Sequence, residues 1–238
     1  VFIIKEISMT PRPRRNQSPS NLKEHILRSA WEQIAQAGAP ALSLRAVARK
    51  LHITAPAIYN YFPSRDALVT ALIVDAFNAF GETQAQSIAT IPAEAYAARL
   101  RALGLAYRRW AISYPERYQL IFGVPIAGYT APTEATLPAA SRSMASLVSV
   151  LASAHTAGKL KSESLSPMTP RLRAMLMEWP LVGGQVDPEV LYLALVTWSF
   201  VHGLVSLEIN RQYPSSLTDS DDFYSRAIDL LIHQYIQE

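Results

Sequence analysis

Residues 59–62 read Tyr-Asn-Tyr-Phe, two phenols flanking an amide and then a third ring. Hydroxyls and amides of this kind are hydrogen-bonding groups that a buried core does not require. Helical periodicity through "APAIYNYF" puts Phe62 on the inner side with Ile58. It leaves Ala55, Pro56, Ala57, Tyr59, Asn60 and Tyr61 facing outward. The surroundings are cationic. Residues 1–70 hold ten Lys and Arg against Glu6, Glu24, Glu32 and Asp66, a net +6, whereas the remainder of the chain carries −3. An anionic partner is therefore expected at the first third of the chain.

Groups for catalysis are not assembled in the same way. The chain has no cysteine, which removes disulfides, thiolate nucleophiles and cysteine metal sites, and fits a reducing, cytoplasmic setting. Its 5 histidines are dispersed. The glycines form no GxGxxG or P-loop, and no HExxH or GxSxG occurs. The expectation is a protein that is not an enzyme, with no cofactor and no metal site. No uninterrupted apolar run approaches the roughly 20 residues of a membrane span, so a soluble protein with no membrane partner is expected. The opening "VFIIKEISM" is too short for a secretory signal; Met9 reads as the natural start and residues 1–8 as an extension.

The elements that must position these groups are all helical. Half the residues are hydrophobic (50%), enough for a sizeable core, and they recur at helical rather than alternating spacing. After a basic tail over residues 1–19, expected to be disordered, Asn21 and Glu24 can form a capping box for a helix ending at Gly38. Ser43 can cap "LRAVARKL", Thr54 can cap "APAIYNYF", and Ser64 can cap a fourth helix running towards residue 88. Further helices are expected at 92–114, 115–122, 138–157, 168–179, 188–212 and 219–236. The fold class is all-α. A three-helix helix-turn-helix domain spans 20–66 and a larger helical domain 67–238, bridged by the fourth helix.

Two short helices joined by "HIT", basic outside and apolar inside through Leu44, Val47, Ala48, Leu51, Ile53, Ile58 and Phe62, match a helix-turn-helix. "SLRAVARKLHITAPAIYNYFPSRDAL" resembles the DNA-binding segment of the tetracycline-repressor (TetR) family, at Ser43, Val47-Ala48, Tyr59, Tyr61, Phe62 and Arg65. His52 stands where that family often has glycine, a residue that tolerates positive φ better. The resemblance implies that Tyr59 and Tyr61 donate to DNA phosphates, that Arg65 adds charge, and that Ser43 and Arg45 hold the opposite backbone. Thr54, Ala55, Pro56, Ala57 and Asn60 are left for the groove, Asn60 being the side chain able to pair bidentately with adenine. Arg12, Arg14 and Arg15 are either a solvated tail or a minor-groove arm.

Residues 95–237 resemble the family's variable C-terminal domain, and Trp198, His202 and Gly203 resemble the class named for its Trp-His-Gly signature. Tyr107, Trp110, Tyr114, Tyr118 and Phe122 form an aromatic stripe that is either core or the wall of an effector cavity. Met144, Met175, Met177, Trp179 and Trp198 join the cavity reading. His202 is either a satisfied core histidine or a ligand contact. Ser199, Gly203 and Ser206 form a row of small residues that, with Ala227 and Leu231, suits a four-helix dimer interface. The resemblance thus implies a homodimeric repressor that binds double-stranded operator DNA and is released by a small, largely apolar or aromatic effector. The alternative is an activator or architectural DNA-binding protein without an effector.

Overall fold

The computed structural model describes residues 19–161, 167–178, 186–217 and 219–237. The basic tail with Arg12, Arg14 and Arg15, and the candidate Trp179, lie outside the described residues. Among the described residues ten α-helices follow one another: α1 Pro19–Ala37, α2 Leu44–Lys50, α3 Ala55–Tyr59, α4 Arg65–Ile88, α5 Tyr96–Ser113, α6 Pro115–Phe122, α7 Thr133–Thr156, α8 Pro170–Met177, α9 Pro188–Ile209 and α10 Ser220–Tyr235. A 3-10 turn, Ala39–Ala41, links α1 to α2. Among the described residues the extended backbone pairs only at an isolated bridge, Leu160 with Ile236.

Several caps stand where expected. The Ser64 hydroxyl accepts from the Ala67 N–H at 3.0 Å, and Asp187 and Asp219 accept from Glu189 and Asp222. Gly38 ends α1 at φ 77, its N–H donating to the Ile34 carbonyl. Other boundaries differ from the expectation: α5 starts at Tyr96 rather than at Pro92, α8 spans Pro170–Met177 rather than 168–179, and α9 ends at Ile209 rather than at 212. Helix α1 starts at Pro19, so Asn21 and Glu24 lie inside it rather than forming a capping box. Helix α3 stops at Tyr59, leaving Tyr61 and Phe62 in the following turn, where both N–H groups bond the Ile58 carbonyl. Helix α7 starts at Thr133, with Pro138 in its second turn. The lost proline N–H costs one backbone bond, but the Pro132 carbonyl already anchors the N–H groups of Ala135 and Thr136 and the Thr136 hydroxyl.

Helices α1 to α3 and the first half of α4 enclose a front core including Ile26, Val47, Ile58, Phe62, Leu68 and Leu72. Each such side chain contributes about 1.5–3 kcal/mol by burial. Behind it, α4, α5, α7, α9 and α10 pack as a helical bundle with two further clusters, one around Leu151 and Leu193, the other around Phe80, Tyr107 and Tyr118. Gly81 permits the close crossing of α4 over α7: a Cβ there would stand 3.3 Å from the Arg142 carbonyl and the Ser143 backbone. Arg108 ties three helices together. Its guanidinium donates to both Glu208 carboxylate oxygens at 2.7 Å, pairs with Asp221 at 2.6 Å and lies over the Tyr224 ring.

Helix α9 is, among the described residues, the one helix long and apolar enough to cross a membrane by length and composition, with a mean hydropathy of 1.8. Its surface is divided: Val190, Leu193, Val201 and Val205 are buried in the bundle, while Phe200 and Leu207 stay exposed.

His52 adopts φ 55, the left-handed conformation of the turn between α2 and α3. A side chain there costs roughly 1 kcal/mol relative to glycine. His52→Gly is therefore expected to raise the unfolding free energy by about 0.5–1 kcal/mol, measured by urea denaturation; a loss of stability would mean that the imidazole makes a compensating contact in solution.

Candidate nucleic-acid interface and internal cavity

The front surface is built by α2 and α3 crossing at small Ala48, whose carbonyl accepts from the Ile53 N–H at 3.1 Å. Inside lie Leu44, Val47, Ala48, Ile58 and Phe62; outside lie Arg45, Arg49, Pro56, Tyr59 and Asn60. Arg45 and Arg49 make no ion pair with any described residue, whereas Lys50 pairs with Glu32 at 2.6 Å on the surface. Two guanidiniums, a phenol and an amide are thus exposed on and beside α2 and α3. Ser43 caps α2 weakly, its hydroxyl 3.5 Å from the Ala46 nitrogen, and its own N–H donates to the Gln33 side chain. Thr54 is exposed and its side chain makes no cap bond. Ala55 and Ala57 are half-buried.

Two members of the expected set sit differently. Tyr61 is half-buried and its ring packs on the front core, because the chain turns after Tyr59 instead of continuing the helix. The Arg65 guanidinium points inward along the surface and donates to the carbonyls of Leu42 (3.1 Å), Ala39 (3.1 Å) and Pro40 (3.2 Å). Those donors bond the carbonyls of the 3-10 turn region and tie it to the start of α4.

Helix α6 lies between this front unit and the bundle. Its Arg117 donates to the Asp75 carboxylate on α4 at 3.0 Å, and that same oxygen accepts from the Trp31 indole of α1 at 2.8 Å. The guanidinium also sits 4.7 Å over the Trp31 ring and 5.4 Å over half-exposed Tyr114. At the other side of α6, the Tyr118 hydroxyl meets His202 Nδ1 at 3.1 Å and Ser206 Oγ at 2.8 Å, and Tyr107 reaches the same Nδ1 at 3.0 Å. Trp198 stacks on the imidazole at 5.1 Å. Both ring nitrogens of half-buried His202 thus have partners within the chain, and the Ser206 hydroxyl, expected at a dimer interface, bonds to this network. Burial pushes the His202 imidazole below its ordinary value and pushes both Tyr107 and Tyr118 up.

Next to the network a cavity opens between α4, α5, α7, α9 and α10. Its volume is about 50 Å³. Of the expected effector residues, Tyr107, Met144 and Trp198 line it. Trp110, Tyr118 and Phe122 are packed behind as an aromatic cluster, with Phe80 at 5.0 Å from both Tyr107 and Trp110. Tyr114, Met175 and Met177 are exposed and stand apart from it. Leu231, expected at a dimer interface, instead faces the cavity.

Sequence reasoning missed Gln84. It is buried, lines the cavity, and its Nε2 has no hydrogen-bond partner among the described residues. An unpaired buried donor costs about 1–3 kcal/mol. The signal was present: Leu68, Leu72, Ala76, Phe80, Gln84 and Ile88 recur every fourth residue along α4, and Gln84 is the polar member of that row.

Ser199, Phe200 and Leu207 of α9 and Phe223 and Leu230 of α10 are exposed, and Gly203 and Ala227 are half-exposed. No atom lies within 4 Å of where a Cβ on Gly203 would stand, and Leu230 is 69% exposed. Elsewhere His155, Asp187 and Glu189 bring ligand-capable atoms within 4.8 Å of one another, on a partly solvated surface where Asp187 is already engaged as the α9 cap.

Residues 26–72 match the family model described as bacterial regulatory proteins, tetR family. Residues 100–231 match the model of the tetracyclin repressor-like C-terminal domain. The HTH-type transcriptional regulator Rv1816 of Mycobacterium tuberculosis H37Rv is 29% identical over 223 residues, covering 92% of this chain and 94% of its own. The crystal structure of the regulatory protein SCO4313 superposes with a TM-score of 0.73 at 33% identity, covering 94% of this chain and all of that one (100%). A Rhodococcus sp. RHA1 protein of unknown function shares the fold, with a TM-score of 0.71 at 22% identity over 95% of this chain and 100% of its own.

Because burial disfavours the His202 cation, the folded chain binds fewer protons than the unfolded one below the ordinary value of 6.5. Stability is expected to fall as pH drops through that value, measured by denaturant titrations between about pH 7.5 and about pH 5.5. In His202→Asn, which keeps an acceptor for the two phenols, this fall should shrink; an unchanged profile would assign the acid sensitivity to other groups.

Proposed function

The chain belongs to the tetracycline-repressor (TetR) family and is a DNA-binding transcriptional regulator, and from that premise we propose that it acts as a homodimeric repressor released from its operator by a small, largely apolar effector. The observation that carries this reading is the internal cavity whose wall includes Phe80 and Gln84 of α4, the same helix that supplies Leu68 and Leu72 to the front core. A ligand acts on DNA affinity only through different affinities for two conformers. The contact route available to it runs from Tyr107 and Trp198 through Phe122 and Tyr118 on α6 to Arg117, Asp75 and Trp31.

On the DNA side, Tyr59 and Arg45 are assigned to phosphates, with Ser43 at the edge of the same surface. Pro56 and Asn60, flanked by Thr54, Ala55 and Ala57, are assigned to the groove floor. Tyr61 serves as a partly buried support and Arg65 as the clamp that fixes the reader on α4.

The dimer is assigned to the open face of α9 and α10, through Phe200, Gly203, Leu207, Ala227 and Leu230. This pairing also accounts for the apolar circumference of α9, one side of which packs in its own bundle. A two-fold dimer places two readers about 34–36 Å apart, one turn of DNA.

Three measurements test this. In binding assays on DNA from the chain's own upstream region, Tyr59→Phe should weaken every sequence alike, and Arg45→Ala should lower the salt slope by about 1. Asn60→Ala should instead relax preference at one base position by about 1–3 kcal/mol; a uniform loss would move Asn60 to the phosphate set. Leu230→Asp should convert a dimer to a monomer in sedimentation, with loss of operator binding. In Arg117→Met, effector binding should persist while its effect on DNA affinity shrinks; full release by ligand would exclude this route.

A further inference from the structure

The cavity wall is almost entirely hydrocarbon and aromatic, yet it holds one amide. Gln84 is 5% exposed, in the fourth turn-repeat of an otherwise apolar row, and its Nε2 finds no acceptor. Of the other polar groups of the wall, Thr197, Trp198 and Tyr235 belong to half-buried residues, and two buried hydroxyls are occupied. The Ser143 hydroxyl donates to the Ala140 carbonyl at 2.6 Å, and the Tyr107 hydroxyl is engaged with His202. Two more buried polar atoms lack partners, Ser29 Oγ and Arg99 Nε, but neither residue lines the cavity.

We infer that Gln84 is the residue that selects the effector, and that the effector is an uncharged, mostly apolar molecule presenting a hydrogen-bond acceptor, such as a ketone, ester or amide carbonyl. This rests on the reading of the cavity as the effector site and adds the chemistry of what enters it. Two properties of the wall define the class. Gln84 Nε2 is buried beside the free space without an acceptor, and a turn of its side chain presents a donor in low-dielectric surroundings, where an N–H···O=C bond discriminates strongly against ligands lacking the acceptor. No Lys or Arg lines the wall, so an ionised carboxylate would enter without a counter-charge. The free space as packed is small, so a ligand that reaches Nε2 requires the Gln84 amide and the flexible side chain of Met144 to move.

Acetophenone and ethylbenzene differ at one position, a carbonyl against a methylene, and serve as the probes. Their binding to the full-length chain is followed by calorimetry and by fluorescence, to which Trp198 in the wall contributes. The preference for acetophenone relative to ethylbenzene is expected to fall about ten-fold from the wild type to Gln84→Met, a near-isosteric change that removes the donor. An unchanged ratio overturns the inference while leaving the cavity reading intact. If neither compound binds the wild type, the cavity reading itself fails and this inference with it. Benzoate should bind at least ten-fold more weakly than acetophenone, and equal binding overturns the uncharged class. A second readout needs no substitution: in the wild-type chain the Gln84 side-chain amide proton should move downfield with acetophenone and not with ethylbenzene. Equal shifts with both overturn the assignment.

Discussion

Helix α4 cannot satisfy the front core and the rear bundle independently, because one row of its side chains is buried in both. Leu68, Leu72 and Ala76 close the three-helix reader, and one and two turns further on Phe80 and Gln84 form part of the cavity wall. The row repeats every fourth residue, so it winds slowly around the helix axis and stays buried over the 24 residues of α4. Any rotation or translation of α4 that widens the cavity therefore displaces the platform on which α1, α2 and α3 rest. The rigid crossing at Gly81, where backbone meets backbone, restricts which of these movements α7 permits.

The ionic and aromatic contacts around α6 follow from the same constraint. A helix of 8 residues has little stability of its own, and α6 is held by what its side chains reach. Arg117 reaches forward to Asp75 and the Trp31 ring, while Tyr118 and Phe122 reach back to His202, Tyr107 and Trp198. The two sets of contacts lie within two turns of one helix, so α6 joins the reader to the cavity's aromatic wall without covalent proximity. Arg65 does a simpler task at the front. By bonding three carbonyls of the turn after α1 it makes the reader and the start of α4 one unit.

The bundle's outer face shows why small residues alone do not define an interface. Ser199 and Gly203 are open, whereas Ser206, one helical step around, is drawn inward by Tyr118. Likewise Leu230 is exposed while neighbouring Leu231 faces the cavity. A 100° rotation per residue separates two apolar faces on the same helix, and one-dimensional spacing gives both the same pattern.

Local chemistry made the helix-turn-helix legible before any coordinates. Its caps at Ser43 and Ser64, its apolar face from Leu44 to Phe62 and its basic exterior are decided by residues close together in the chain, where periodicity and capping operate. The all-α class and most helix boundaries follow for the same reason. What the sequence alone left open depended on partners distant in the chain. Only the fold brings the carbonyls of Ala39, Pro40 and Leu42 beside the Arg65 guanidinium, and only the fold brings the Tyr107 and Tyr118 hydroxyls to His202 Nδ1. Gln84 is a polar residue in an apolar row, but only the packing of five helices decides that it lines a cavity with its Nε2 buried and without an acceptor among the described residues. Local order is set by interactions within a few residues, whereas satisfaction of a buried polar group is a property of the whole tertiary arrangement.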